Sequence, residues 1–220
     1  MLLFLGKNNN TFIAPIGTKL SVMTGKEIFG LQERVALFND QHAFRQLFRH
    51  YYTGLFQFAV SIVKLKEPAE EIVGDLFVAI WNKRSAITNI SNLKVYLYIS
   101  VKNRCLNYIS RKADIRSIDP DQLDTTCSEL AADPLDLIVA SELLQSVNKA
   151  IRELPPKCRV VYKLVKEDGL AYKEVAEVLN ISQRTVEHHI AAAVRKIAAS
   201  LNIDFSAYQK SSGEYVRGER

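Results

Sequence analysis

Between Glu27 and Lys64 the apolar residues Phe44, Leu47, Phe48, Tyr51, Tyr52, Leu55, Phe58, Ala59 and Ile62 recur at i, i+3, i+4 spacing. That spacing puts them along one side of a helix, so the stretch predicts a short helix followed by a long one buried on one face. Pro68 predicts the opening of the next helix, because a missing N–H costs least in a first turn. There Ile72, Val73, Leu76, Phe77 and Ile80 form the inner stripe, and Glu70, Glu71 and Asp75 lie outside it. A further helix, Asn92 to Lys112, is two-sided. Val95, Tyr98, Ile99, Cys105, Leu106 and Ile109 cluster on one side, and Tyr96, Ser100, Asn103, Arg104, Asn107 and Arg111 on the other.

The pattern fails between Ala113 and Asp133, where Asp114, Asp119, Asp121, Asp124, Glu129 and Asp133 are opposed only by Arg116, with Pro120 and Pro134 as breakers. This predicts a self-repelling tether between two small bodies. Helical patterning returns from Leu135 to Leu154, with Leu137, Ile138, Leu144, Val147 and Ile151 as its apolar set. Pro156 pre-sets another helix start, Val160, Val161 and Leu164 face inward, and Gly169 ends that helix.

Gly169 to Leu201 reads as a helix-turn-helix. Val175, Ala176 and Leu179 give the first helix its apolar side, and Ala176 is small enough for a second helix to cross closely. Asn180 tolerates the left-handed conformation needed past a helix end, and Ser182 suits the cap of the next helix. In that helix Val186, Ile190, Ala193, Val194, Ile197 and Leu201 share one side, whereas Arg184, Thr185, His188, His189, Arg195 and Lys196 share the other. A recognition helix enters the major groove with its N-terminal residues at base edges. Gln183, Arg184, Thr185, Glu187 and His188 are therefore nominated for base readout, and Arg195 and Lys196 for phosphates. His188 and His189 point in different directions and are expected at the surface.

The segment from Asn92 to Lys112 carries Lys94, Lys102, Arg104, Arg111 and Lys112 and no acidic residue. Its polar side mixes cations, amides and an aromatic, which suits a nucleic-acid backbone beside an unstacked base. A solvated basic helix is the plainer alternative. The net charge of +5 is compatible with a polyanionic partner without demanding one. Cys105, Cys127 and Cys158 are odd in number and lack close pairing, which points to reduced thiols in a cytoplasmic protein and away from a disulfide framework or a zinc site. No metal, other cofactor or small-molecule substrate is expected. The fold expected is all-α: two small helical domains joined by an acidic linker, the second ending in the helix-turn-helix. The boundaries expected are 1–23 for a disordered extension, 24–112 for the first domain, 113–134 for the linker, 135–201 for the second domain and 202–220 for a frayed tail.

Three strings resemble the extracytoplasmic-function class of sigma factors, in the sigma-70 family of bacterial RNA polymerase initiation factors. "AEEIVGDLFVAIWNKR" resembles the region 2 helix that grips the polymerase clamp, and "NLKVYLYISVKNRCLNYISRK" the helix that melts the minus-ten element. The stretch from Leu154 to Ile197 resembles region 4, which reads the minus-thirty-five element. The resemblance implies core RNA polymerase and promoter DNA as partners, and an anti-sigma factor, free or membrane-bound, that holds the free protein inactive. It implies a polymerase contact at Asp75, Ile80 and Trp81. It implies promoter contacts at Asn89, Asn92, Lys94, Tyr96, Asn103, Arg104 and Asn107, and duplex reading at Arg184, Thr185, Glu187 and His188; from their own charge and position Arg111 and Lys112 are counted with the first set, and Ser182, Gln183, Arg195 and Lys196 with the second. Gly74 stands where the family commonly has a polar residue, and Asn180 where it usually has Gly. Two rival functions differ in what they require. A helix-turn-helix regulator working without polymerase would use the first domain to sense or dimerise, and a nucleic-acid enzyme would need grouped carboxylates, a phosphate cradle or metal-ligand spacing that the chain lacks.

Overall fold

The computed structural model describes residues 23–116 and 142–201. They belong to two compact units, divided between Leu130 and Ala131. The described residues form helices and no strands. The first unit holds α1 (Gly25–Phe38), α2 (Gln41–Val63), α3 (Lys66–Asn82), a 3-10 turn (Arg84–Asn89) and α4 (Leu93–Arg116). The second holds α5 (Glu142–Arg152), α6 (Pro156–Lys166), α7 (Tyr172–Leu179) and α8 (Gln183–Ser200).

Local chemistry sets the helix ends of the first unit. Thr24 and Glu27 form a reciprocal capping box, in which the Thr24 N–H donates to the Glu27 carboxylate at 2.7 Å and the Glu27 N–H to the Thr24 hydroxyl at 3.4 Å. The corner between α1 and α2 turns through Asn39 at φ 52°. Asp40 then accepts the N–H groups of His42 and Ala43 at 2.8 and 3.0 Å and pairs with Arg34 at 2.6 Å. The helix expected to open at Pro68 begins at Lys66. Pro68 is thus its third residue, still within the turn whose N–H groups have no intrahelical acceptor, so the ring removes no bond.

The long helix α2 packs against α1, α3 and α4. Leu47, Leu55 and Ala59 of α2, Val73 and Phe77 of α3, and Leu97, Val101 and Cys105 of α4 are buried. Phe77 meets the rings of Phe48 and Phe44 edge-on at 4.8 and 6.1 Å, and Phe58 meets Tyr98 at 5.2 Å. Such ring pairs add about 0.5–1.5 kcal/mol each beyond the area they bury.

Two features of α4 differ from expectation. The helix continues to Arg116, so residues 113–116, expected in the linker, are helical; residues 117–134 lie outside the described segments. Leu106 and Ile109, expected on the packed side, are 51% and 40% exposed. Cys105 is the last buried residue of α4 among those whose side chains are described, and Leu106 and Ile109 beyond it stand open. Periodicity assigns a side to a residue but cannot say whether a partner is there.

In the second unit α8 packs against α5, α6 and α7. Ile151, Leu154, Cys158 and Ala193 form one core cluster, with Val147, Tyr162, Ala192 and Ile197 packed around it. Pro156 is the first residue of α6, as its fixed φ suits. The chain leaves α6 through Gly169 at φ 65°, and the Leu170 N–H donates back to the Leu164 carbonyl at 2.9 Å. Val178, and not Ala176 or Leu179, joins Val175 as the buried pair of α7, while Ala176 and Leu179 are half-buried. The expectations for residues 1–22, 135–141 and 202–220 lie outside the described segments. No helix among the described residues is long and apolar enough to cross a membrane.

Candidate nucleic-acid interface

The corner of the helix-turn-helix runs through Asn180, Ile181 and Ser182. Asn180 ends α7 in the left-handed conformation at φ 54°, its N–H bonding the Glu177 carbonyl at 3.3 Å, and the Ile181 N–H reaches back to the Ala176 carbonyl at 3.0 Å. Ser182 then caps α8: its hydroxyl accepts the Thr185 N–H at 3.0 Å and lies 2.8 Å from the Thr185 hydroxyl. Val186 and Ile190 are buried beneath this corner and hold α8 against the rest of the unit.

Gln183, Arg184, Glu187 and His188 are exposed on the first two turns of α8, and Arg195 and Lys196 on its later turns. The Gln183 amide donates to the Glu187 carboxylate at 3.1 Å, which orients both along the helix. Arg195 donates to the Ala191 carbonyl at 3.3 Å and keeps its remaining guanidinium donors outward. Thr185 is half-buried, with its hydroxyl engaged at the cap. His189, expected at the surface, is half-buried, with Nδ1 3.3 Å from Cys158 Sγ of α6. Successive helical residues point about 100° apart, so only His188 of the pair faces outward.

On the first unit, Asn89 ends the 3-10 turn and is exposed. Asn92 follows and caps α4 by accepting the Val95 N–H at 3.2 Å. From there Tyr96, Asn103, Asn107 and Arg111 are exposed at helical spacing, with Arg104 half-buried beside them, so the structure gathers these expected contacts on one face of α4. Tyr96 is 43% exposed, a ring available for stacking. Lys94 and Lys112 point away from that line and are half-buried. Lys112 lies over the Tyr108 ring at 5.8 Å, and Lys94 is near His50 of α2. Burial first, and the Lys94 charge second, hold the His50 pKa below its ordinary value.

The expected polymerase contact is divided. Asp75 is exposed on the outer side of α3. Ile80 is turned into the core at 7% exposure, which corrects its placement on that surface. Trp81 is half-buried, its ring 5.0 Å from Phe44 and covered by the Arg84 guanidinium at 4.9 Å. Gly74 has nothing within 4 Å of where a Cβ would stand, so the polar side chain common there in the family would fit.

Arg84 and Gln32 were not legible as site residues. Arg84 donates to the Asn39 side chain and, at 3.0 Å, to the Trp81 carbonyl. Gln32 of α1 is buried and donates to the carbonyls of Ile87 and Ile90 at 2.8 and 3.2 Å. Together they hold the segment that carries Asn89. The available signal was a glutamine between the apolar positions Leu31 and Val35, on the buried side of a short helix.

Both halves of this geometry match known families. The sigma-70 region 2 family matches residues 47–115, and the sigma-70 region 4 family matches residues 144–197. The chain is similar to the ECF RNA polymerase sigma factor SigW of Bacillus subtilis, at 27% identity over 158 residues that span 69% of this chain and 84% of that one. It is also similar to the ECF RNA polymerase sigma-E factor of Escherichia coli, at 26% identity over 171 residues, 73% of this chain and 86% of that one. Among solved structures it resembles the sigma factor RpoE of Bartonella quintana, determined with the anti-sigma factor NepR, with a TM-score of 0.54 and 23% identity over 73% of this chain and 98% of that one. With region 2 and region 4 matched in family order, each on a unit that presents a polar, cationic helix face, the chain belongs to the extracytoplasmic-function sigma factors of the sigma-70 family.

Proposed function

We propose that this protein binds core RNA polymerase and directs promoter-specific initiation, melting the minus-ten element with its first unit and reading the minus-thirty-five element with its second. The observation that carries the reading is the pair of exposed faces, one on α4 and one on α8, each in a unit matched by its own sigma-70 region. On α8, Arg184, Gln183, Glu187 and His188 address base edges, and Arg195 and Lys196 address phosphates. On α4 and the turn before it, Asn89, Asn92, Asn103 and Asn107 offer amides to an unpaired strand, and Tyr96 offers a stacking surface.

The mechanism uses binding energy without covalent chemistry. Extracting a base costs a few kcal/mol, and stacking on an aromatic returns about 1–3 kcal/mol. Affinity for polymerase, through Asp75 and Trp81 on α3, supplies the remainder. Because the partners are polymerase and chromosomal DNA, the protein works in the cytoplasm. The likeness to a sigma factor solved with its anti-sigma factor supports a protein inhibitor of the free chain.

Run-off transcription by purified core polymerase on a promoter library, with and without this chain, tests the proposal. Promoter-specific initiation dependent on the chain is the expected result. Unchanged transcription beside tight binding to an operator duplex would establish a regulator that works without polymerase.

A further inference from the structure

We infer that Gln32, on α1 and remote in sequence from every expected DNA contact, is a positioning residue for promoter melting: it holds the segment carrying Asn89 in the geometry that captures an unpaired base. The inference rests on the sigma reading and deepens it.

Gln32 is the polar side chain that is buried among the described residues, at 3% exposure. Burying an amide is unfavourable unless its hydrogen-bonding capacity is used. Here the Nε2 donors go to the carbonyls of Ile87, at 2.8 Å, and Ile90, at 3.2 Å. Those carbonyls lie on either side of Thr88 and Asn89, so one side chain fixes the backbone before and after the exposed asparagine. The segment has little regular structure of its own: a 3-10 turn over Arg84–Asn89, closed by the Ile90 N–H on the Ile87 carbonyl at 3.2 Å. Such turns bond less well than α-helix, and their position is set by what they are tied to.

The other end of the segment is tied to the same layer. Arg84 reaches Asn39, at the α1–α2 corner, while its guanidinium covers Trp81. Base capture requires donors and acceptors already in place when the base leaves the stack, because ordering them at that moment would draw on the same small stacking gain. A thioether of similar length at position 32 would fill the space but take the side-chain donor from both carbonyls, leaving that of Ile87 only the Ile90 N–H.

The test uses the full-length chain with core polymerase and a promoter duplex carrying 2-aminopurine in its minus-ten element. Gln32→Met is expected to slow open-complex formation about tenfold, equivalent to about 1.4 kcal/mol. It should also reduce discrimination among the four bases at the captured position, while polymerase affinity and minus-thirty-five duplex affinity stay within about twofold. The double variant Gln32→Met with Asn89→Ala should discriminate no worse than Asn89→Ala alone, because both act on one contact. Unchanged melting and discrimination in Gln32→Met, additive losses in the double variant, or an equal fall in polymerase affinity would each overturn the assignment. If Gln32→Met unfolds the unit, Arg84→Gln, half-exposed at the other end of the segment, carries the same expected and overturning results for melting and base discrimination, polymerase affinity being left out because Arg84 also covers Trp81. A wild-type chain that initiates nothing overturns the sigma reading itself; an active wild type with an equally active Gln32→Met overturns this inference alone.

Discussion

Among single residues, burial decides more than chemical type. Cys105 and Tyr51 both sit in the first unit's core, and burial pushes the thiol up to about 11 and the phenol up to about 12. In the unfolded chain they ionise near their ordinary values of 9.0 and 10.0. Between those limits the unfolded state binds fewer protons than the native state, so stability falls as pH rises. Thermal melts should therefore show a steady loss from about pH 9 upward, and Cys105→Ala, though less stable at neutral pH, should flatten the first part of that decline. A melting temperature independent of pH between 9 and 11 would mean that neither group is held protonated by the fold. His50 works in the opposite range: its depressed pKa keeps it neutral where the unfolded chain takes up a proton, so it removes stability on acidification through its ordinary value of 6.5.

Single helices show where sequence periodicity suffices and where it does not. On α3 the inner stripe and the acidic outer face were both legible, because five apolar residues and three carboxylates fall on opposite sides over only three turns. Gly74 lies in that helix with nothing near its missing Cβ. Gly74→Gln should raise stability by about 0.5–1 kcal/mol, through helix propensity alone, and should tighten polymerase binding by adding a polar group beside Asp75. Melting curves and polymerase titrations check the two parts separately, and a lower melting temperature would show that the site is more crowded than its surroundings indicate. On α4 the same reasoning correctly assigned the polar face but overextended the packed side to Leu106 and Ile109, which are exposed.

At the scale of the whole molecule, two units with separate cores carry separate faces, so damage to one should leave the other intact. Arg184→Ala is expected to weaken minus-thirty-five duplex binding about tenfold or more without changing polymerase affinity. Asp75→Arg, which reverses an exposed charge, is expected to do the converse, lowering polymerase affinity about tenfold while duplex binding persists. Trp81→Asp is the less clean variant, because Trp81 also packs on Phe44 and under Arg84. Fluorescence anisotropy with labelled duplex and with labelled polymerase measures both affinities, and parallel losses in both for either variant would refute the division of labour.

By itself, the sequence determined the helical class, the division into two bodies, the helix-turn-helix corner and the polar side of α4. These follow from short-range rules: apolar spacing, a left-handed Asn180, a capping Ser182 and a run without carboxylates each act within a few residues. Only the tertiary structure decided which residues on those sides find a partner. It left Leu106 exposed, drew His189 onto Cys158, and joined Gln32 to carbonyls 55 and 58 positions away. Those outcomes depend on where one helix stops relative to its neighbour and on which distant backbone group lies within hydrogen-bond reach, and no local pattern encodes either distance.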